Sequence, residues 1–378
     1  MHSLLHRYAQ LLTDEGCVQP GRVAVAALND VVCAVGPADL RQLAERLLHD
    51  LKSAAVIVAC PALPCAQLLL QRAPENLSAL VPRDSESRSS LHDIPLIRGI
   101  SPELRHQAIL TALQRRKGCI ADSIGMVAQG GLTVEQAYIA WSSLYHATTI
   151  KYLEDILLCG FRLPEEQAML QHLAELPRPC REAVSLTSGP FNTPHKIITA
   201  MAAAGRATVQ QGLVDSFFGN ISYRSDDALY ISQTAARLDE LERQIDRIPD
   251  DDSSTAGITA SSELPAHRAI AQATGCRAIL HGHPRFPVAL AFYATATQHD
   301  GIEEICGIPV VSGEGGMGGL AESVPNALLK TGQPAVIVKG HGVFSCAPDD
   351  FRHAFAQLVT VEERCRTAFF ERVTAQQN

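Results

Sequence analysis

The chain repeats itself, and the repeat constrains its fold more than any single motif does. Ala55-Val-Ile-Val-Ala-Cys-Pro-Ala-Leu-Pro64 aligns without gaps on Ala278-Ile-Leu-His-Gly-His-Pro-Arg-Phe-Pro287. Both prolines coincide, as does the alanine two places later, Ala66 against Ala289. Further on, Ile94-Pro-Leu-Ile97 aligns with Ile308-Pro-Val-Val311. Then Ile124-Gly125 and Ala137-Tyr138 align with His341-Gly342 and Ala354-Phe355, with eleven residues between the pairs in each half. Three matches in one order identify an internal duplication. A length of 378 residues accommodates two domains. The expected division is 1–160 and 193–378, joined by 161–192, which holds Pro164, Pro177, Pro179 and Pro190 and a short helix-like run over 165–175.

Within each half, apolar runs of strand length alternate with longer helical stretches. Helices are expected over 134–157 and 350–373, closing the two halves, and over Lys196–Gln211, which Gly212 ends. Ser222–Arg224 and Ala228–Ser232 read as short strands, followed by a loop through Asp250, Asp251 and Asp252 and a helix from Ser262 to Thr274. Such an order implies an α/β fold, with each sheet covered by helices on both faces.

Composition excludes several function classes. A net charge of −8 argues against a nucleic-acid surface. No stretch approaches the length of an apolar membrane span, and the start, Met1-His-Ser-Leu-Leu-His-Arg7, lacks the pattern of a signal peptide. The 11 cysteines are odd in number and show no CxxC spacing. They read as reduced thiols in a cytoplasmic protein.

The chemistry concentrates in the second half. In Arg277-Ala-Ile-Leu-His-Gly-His-Pro284 an apolar strand ends in His281 and His283. Side chains at i and i+2 of a strand share a face, so the two imidazoles lie side by side, as half of a divalent metal site. Two satisfied polar residues would show the same spacing. His341 ends another apolar strand, Ala335-Val-Ile-Val338, within Gly340-His-Gly342, and is the candidate third ligand. Glu263, in Ser261-Ser-Glu-Leu-Pro265, opens a helix that Ser261 or Ser262 can cap. Its carboxylate, if aimed at a metal, can serve as general acid and base. His267 lies one turn further along the same helix face and reads as packing or as support for the site. In Gly219-Asn220-Ile-Ser222 a tight turn exposes backbone N–H groups, which with the helix start at Ser261 and Ser262 could hold an anion such as phosphate.

At these residues the second half resembles the class II aldolase/adducin family, over about 196–373 and in the same order. The resemblance rests on Gly212-Leu-Val214, Phe218-Gly-Asn-Ile-Ser222, Ser261-Ser-Glu263, His281-Gly-His283 and Gly340-His-Gly342. It implies two tandem α/β/α sandwich domains, each with a largely antiparallel central sheet. It also implies zinc, or another divalent transition metal, on His281, His283 and His341, with Glu263 as the catalytic proton carrier. Gly219, Asn220, Ser222, Thr234, Ser261 and Ser262 would contact the substrate or its phosphate. The activity so implied is metal-dependent lyase chemistry. A carbon–carbon bond of a small ketose, a ketose phosphate or a related hydroxy-carbonyl compound breaks, and an enediolate is stabilised. Dehydration, decarboxylation or epimerisation would use the same site, and metal-free adducin-like members are binding proteins. The expected partners are a small sugar or sugar phosphate and further copies of the chain, as a dimer forming a four-domain ring or a higher oligomer.

Two features depart from the family pattern. In Ile231-Ser-Gln-Thr-Ala235, Ala235 stands where the family carries glycine, and a positive φ there would be strained. The loop Ser312–Gly319 lacks a tyrosine that aldolases of the family often place there. Gly313-Glu-Gly-Gly-Met-Gly318 satisfies GxGxxG, but no acidic residue follows at the dinucleotide-binding position, where Lys339-Gly-His-Gly342 stands. It reads as a mobile loop beside the site. The duplication sets Val58, Cys60 and Ile124 at the places of His281, His283 and His341, with Asp39 near that of Glu263. The first half is therefore expected to be a degenerate copy without a metal.

Overall fold

A computed structural model describes residues 1–215, 217–251, 253–292, 297–299, 302–312 and 319–377. The chain divides into Met1–Leu173 and Ala174–Asn378. The division falls inside the expected joining segment. None of the eleven cysteines is in a disulfide. Among the described residues no helix is long and apolar enough to cross a membrane. The GxGxxG segment 313–318 lies outside the described residues.

The first unit runs α1 (His2–Asp14), β1 (Val18–Leu28), β2 (Val32–Val35), α2 (Ala38–Asp50), β3 (Ala55–Pro61), α3 (Cys65–Arg72), β4 (Ala79–Leu80), α4 (Ser85–Leu91), β5 (Ile94–Ile97), α5 (Pro102–Leu113), β6 (Gly118–Ala121), β7 (Gly125–Gly130), α6 (Val134–Cys159) and α7 (Glu166–Glu175). Its sheet has the order β2-β1-β3-β7-β6-β5-β4. Alternation decides which side chain meets which layer. Ala24, Ala26, Val56, Val58, Cys119, Ala121 and Val127 form one core with Leu40, Leu47, Ile109 and Leu113 of α2 and α5. Ile57 belongs to the opposite parity, on which side α6 packs over β3 and β7. Thr133 caps α6 by accepting the Gln136 N–H, and Gly160, at φ +62, ends it. Each fully buried valine or isoleucine in these layers contributes roughly 1.5–3 kcal/mol.

The second unit runs α8 (Pro194–Gln210), β8 (Asn220–Arg224), β9 (Ala228–Ser232), β10 (Ile245–Pro249), α9 (Leu264–Thr274), β11 (Ala278–Gly282), α10 (Arg285–Leu290), β12 (Thr297–His299), β13 (Ile302–Ile305), β14 (Ile308–Val311), α11 (Gly319–Thr331), β15 (Ala335–Val338), β16 (Gly342–Ala347) and α12 (Phe351–Ala375). Its sheet order is β10-β9-β8-β11-β16-β15-β14-β13-β12. Ile279, Val336, Val338, Phe344 and Cys346 face α9 and α11. On the other side α12 packs on β11, β15 and β16.

The two sheets share one topology. β3 pairs with β7 as β11 pairs with β16, and β5 lies parallel to β6 as β14 does to β15. The other pairings in both sheets are antiparallel. The registers agree residue by residue. Ala55 faces Gly130 where Ala278 faces Ala347, and Leu96 faces Ile120 where Val310 faces Ile337. These are the pairs that the sequence repeat sets in correspondence.

Three sequence expectations shift at element ends. α8 starts at Pro194, because Thr193 caps it by accepting the Lys196 N–H. The segment before Asp250 pairs with β9 as β10 rather than remaining loop. α9 starts at Leu264 instead of Ser262, because the Ser261 hydroxyl accepts the Glu263 N–H and holds that turn out of the helix.

One close approach recurs in both units. A Cβ on Gly125 would stand 2.5 Å from the Ala59 carbonyl oxygen, and one on Gly342 would stand 2.5 Å from that of Gly282. Gly125 also has φ +113, where any other residue is strained by about 1–3 kcal/mol. Gly125→Ala is expected to destabilise the first unit by at least about 2 kcal/mol. Trp141, the chain's single tryptophan and fully buried in this unit, reports the loss as a lower urea midpoint in fluorescence.

Candidate functional site

β11 places the site. His281 pairs with Asn220 of β8 on one side and Phe344 of β16 on the other. All three side chains rise on the face that α9 covers. Phe344 stacks on the His281 ring at 4.1 Å between centroids. His283 follows at the end of the strand, and its ring lies 4.6 Å from that of His281. His341 sits in the turn between β15 and β16, where its N–H bonds the Val338 carbonyl, and its ring stacks on His281 at 4.9 Å.

The three imidazoles thus converge, with their ligand atoms within 4.8 Å of one another. Their donor set fits a divalent cation. The His281 Nδ1–H donates to the Val343 carbonyl at 3.1 Å, since a carbonyl can only accept. That bond leaves the lone pair on Nε2, which lies 2.9 Å from His283 Nε2. Burial pushes His281 down to about 3, so the ring is neutral at physiological pH and has a lone pair to give. Two nitrogens bound to one tetrahedral zinc stand roughly 3.3 Å apart, close to this spacing.

Glu263 stands just before the first turn of α9 and points at the same place. Its Oε1 lies 2.7 Å from His341 Nε2, and its Oε2 lies 3.5 Å from His281 Nε2. The Asn220 amide donates to Oε2 at 2.8 Å. Burial alone would raise this carboxyl. The hydrogen bonds from His341 and Asn220 outweigh it and hold the carboxyl well below the usual range, so it is ionised.

The remaining sequence candidates divide into two groups. Gly219, Asn220 and Ser222 lie in β8 or the turn that leads into it, Asn220 opposite His281, and Ser261 lies in the turn that leads into α9. Ser222 is fully buried, and its hydroxyl bonds His267 at 2.6 Å. The Ser261 hydroxyl accepts the Glu263 N–H. Ser262 and Thr234 are exposed, and the Thr234 hydroxyl donates to the Ala260 carbonyl at 2.8 Å. His267 is fully buried and bonds Asn220 as well as Ser222, a double contact for which its one-turn spacing from Glu263 was the only sequence signal.

Ala235 adopts φ +57 although it carries a methyl group. The loop therefore takes the left-handed conformation that a glycine would favour, at a cost of about 1–2 kcal/mol. In the first unit Val58 and Ile124 pack into the apolar core, and the Cys60 thiol donates to the Ile124 carbonyl at 3.2 Å. Asp39 lies in the first turn of α2 and pairs with Arg22 at 2.9 Å.

Residues 199–369 match the model of the Class II Aldolase and Adducin N-terminal domain. Among solved structures, L-fuculose-1-phosphate aldolase from Thermus thermophilus is 25% identical, covers 48% of this chain and 97% of its own, and has a TM-score of 0.41. A sugar-phosphate aldolase from Thermotoga maritima is 18% identical, with 49% and 97% covered and a TM-score of 0.38. No curated protein matches the chain.

The left-handed Ala235 yields a direct test. Ala235→Gly is expected to raise stability by roughly 0.5–1 kcal/mol, because it relieves backbone strain and gives back part of that gain as chain entropy. The urea midpoint followed by circular dichroism would rise. An unchanged or lower midpoint would mean that the methyl makes packing contacts that offset the strain.

Proposed function

With a C-terminal half of the class II aldolase/adducin family, we propose that the chain is a metal-dependent lyase that cleaves the bond between the α- and β-carbons of a small ketose or ketose phosphate, counted from its carbonyl. The convergence of His281, His283 and His341 beside one ionised carboxylate carries this reading. The three histidines would hold the divalent cation, zinc by ligand type. When bound, that cation supplies a Lewis acid for the substrate's carbonyl and the charge that develops there as the bond breaks.

The protein's own groups do the rest. Glu263 Oε1 lies against His341, while Oε2, 3.5 Å from His281 Nε2, is held by Asn220. Oε1 would accept the proton of the hydroxyl whose carbon departs as an aldehyde. It would then return a proton to the carbon that keeps the electron pair, so bonds and charges balance. The Val343 carbonyl fixes which His281 nitrogen faces the cation. The buried walls, Phe344 among them, exclude water and strengthen each of these interactions. Glutamate at position 263 suits proton transfer in both directions, which supports the lyase reading. Product analysis separates it from dehydration, decarboxylation or epimerisation at the same centre.

The first test is elemental. Purified protein is expected to carry about one divalent cation per chain, and His281→Ala or His341→Ala to lose it. The second is kinetic. Glu263→Gln is expected to retain the cation and to lose about a hundred-fold or more of turnover on a panel of ketose 1-phosphates, read by release of the carbonyl products. A protein that binds no cation even when zinc is supplied would be a binding module instead. Full turnover in Glu263→Gln would remove the carboxylate from the chemistry.

A further inference from the structure

Three buried side chains behind Glu263 are joined in a string whose hydrogen bonds have a single direction. The Glu263 carboxylate can only accept, so Asn220 must present its NH2 to Oε2, and does so at 2.8 Å. The Asn220 carbonyl oxygen therefore faces Nε2 of His267 and must accept from it. Burial pushes His267 down to about 4, so the ring is neutral and has one N–H. With Nε2 protonated, Nδ1 has the lone pair, and it takes the hydroxyl hydrogen of Ser222 at 2.6 Å. The ring is also held from the side, edge-on to Phe344 at 5.7 Å, and Phe344 in turn stacks on His281.

The placement follows from two periodicities. Asn220 and Ser222 alternate on β8 and so share the face below α9. Glu263 and His267 are four apart at the start of α9 and so lie on one side of it. The strand and the helix exchange bonds through two pairs, Asn220 with Glu263 and Ser222 with His267, and the Asn220–His267 bond ties the pairs together.

From this string we infer that His267 is a positioning residue. It holds the Asn220 amide in the one orientation that occupies Glu263 Oε2, and so leaves only Oε1 for the cation and the substrate proton. The inference rests on the reading that the three histidines hold a divalent cation. Without the ring, Asn220 loses the partner that fixes its rotation. Oε2, already 3.5 Å from His281 Nε2, would then be free of the amide and could enter the coordination sphere beside Oε1. A ring that merely filled space would have no such effect on the number of ligand oxygens.

Cobalt(II) reports this without any substrate, because its visible bands weaken as coordination number rises. The purified chain is loaded with cobalt, and the spectrum of each variant is recorded at equal bound metal. His267→Leu and Asn220→Ala are both expected to lower the visible absorptivity about two-fold or more. His267→Gln, whose amide offers a donor and an acceptor at the spacing of the two ring nitrogens, is expected to keep the band of the unmodified chain. Glu263→Ala added to His267→Leu should abolish the change, since no carboxylate is left to enter. An unaltered spectrum in His267→Leu would overturn the inference, as would a change in His267→Leu with none in Asn220→Ala. Should His267→Leu fail to fold by circular dichroism, Asn220→Ala decides alone. If the unmodified chain shows no cobalt band that His281→Ala removes, the cation reading itself is what fails.

Discussion

The register of one strand determines most of what this protein can do. β11 lies between β8 and β16, and its pairing sets His281 opposite Asn220 and Phe344 at once. A slip of one residue would turn His281 and His283 to the α12 side of the sheet and bring Leu280 and Gly282 into their place. Ile279 and Phe344 are what prevent such a slip, since both are buried in the core under α9 and α11. The apolar layer thus fixes the polar site, because side chains on the same strand serve both. The geometry of the histidine cluster is a by-product of core packing carried one residue pair further along the strand.

The sequence made the polar cluster legible because its members sit at ends of apolar runs. His281, His283 and His341 each terminate a strand that hydrophobicity marks plainly, and Glu263 stands at the start of a helix that Pro265 and the serines announce. The string through His267 was harder to see. Its members lie on two elements more than forty residues apart, and a buried histidine between apolar neighbours has no signature apart from that spacing. Element ends shifted where a side chain competed for a backbone group, as Ser261 does for the Glu263 N–H. Ala235 shows a different limit. A residue type states a preference, and the loop overrides it at a cost smaller than that of rebuilding the turn.

The first unit carries an apolar layer in the same frame. Val58 stands where His281 stands in the second unit and is fully buried in the apolar layer under α2 and α5. Burial of valine there adds to stability, whereas a neutral imidazole in that layer would need a hydrogen-bond partner. The second unit meets that demand with the Val343 carbonyl, which accepts from Nδ1, and with His283, whose Nε2 lies 2.9 Å from that of His281. A functional site of this kind is therefore held by its polar neighbours jointly, and replacing one member by an aliphatic residue removes the reason for the others.

The backbone crossing at Gly125 is present without any such cluster. The chain still passes close over the Ala59 carbonyl, as its counterpart does at Gly342, and the Cys60 thiol still reaches toward the turn at Ile124. The main chain of the first unit thus repeats the frame of the second unit's histidine cluster, with apolar side chains at the corresponding places. For an engineer it is a second frame of the same register, in which planted imidazoles would have to bring their own hydrogen-bond partners.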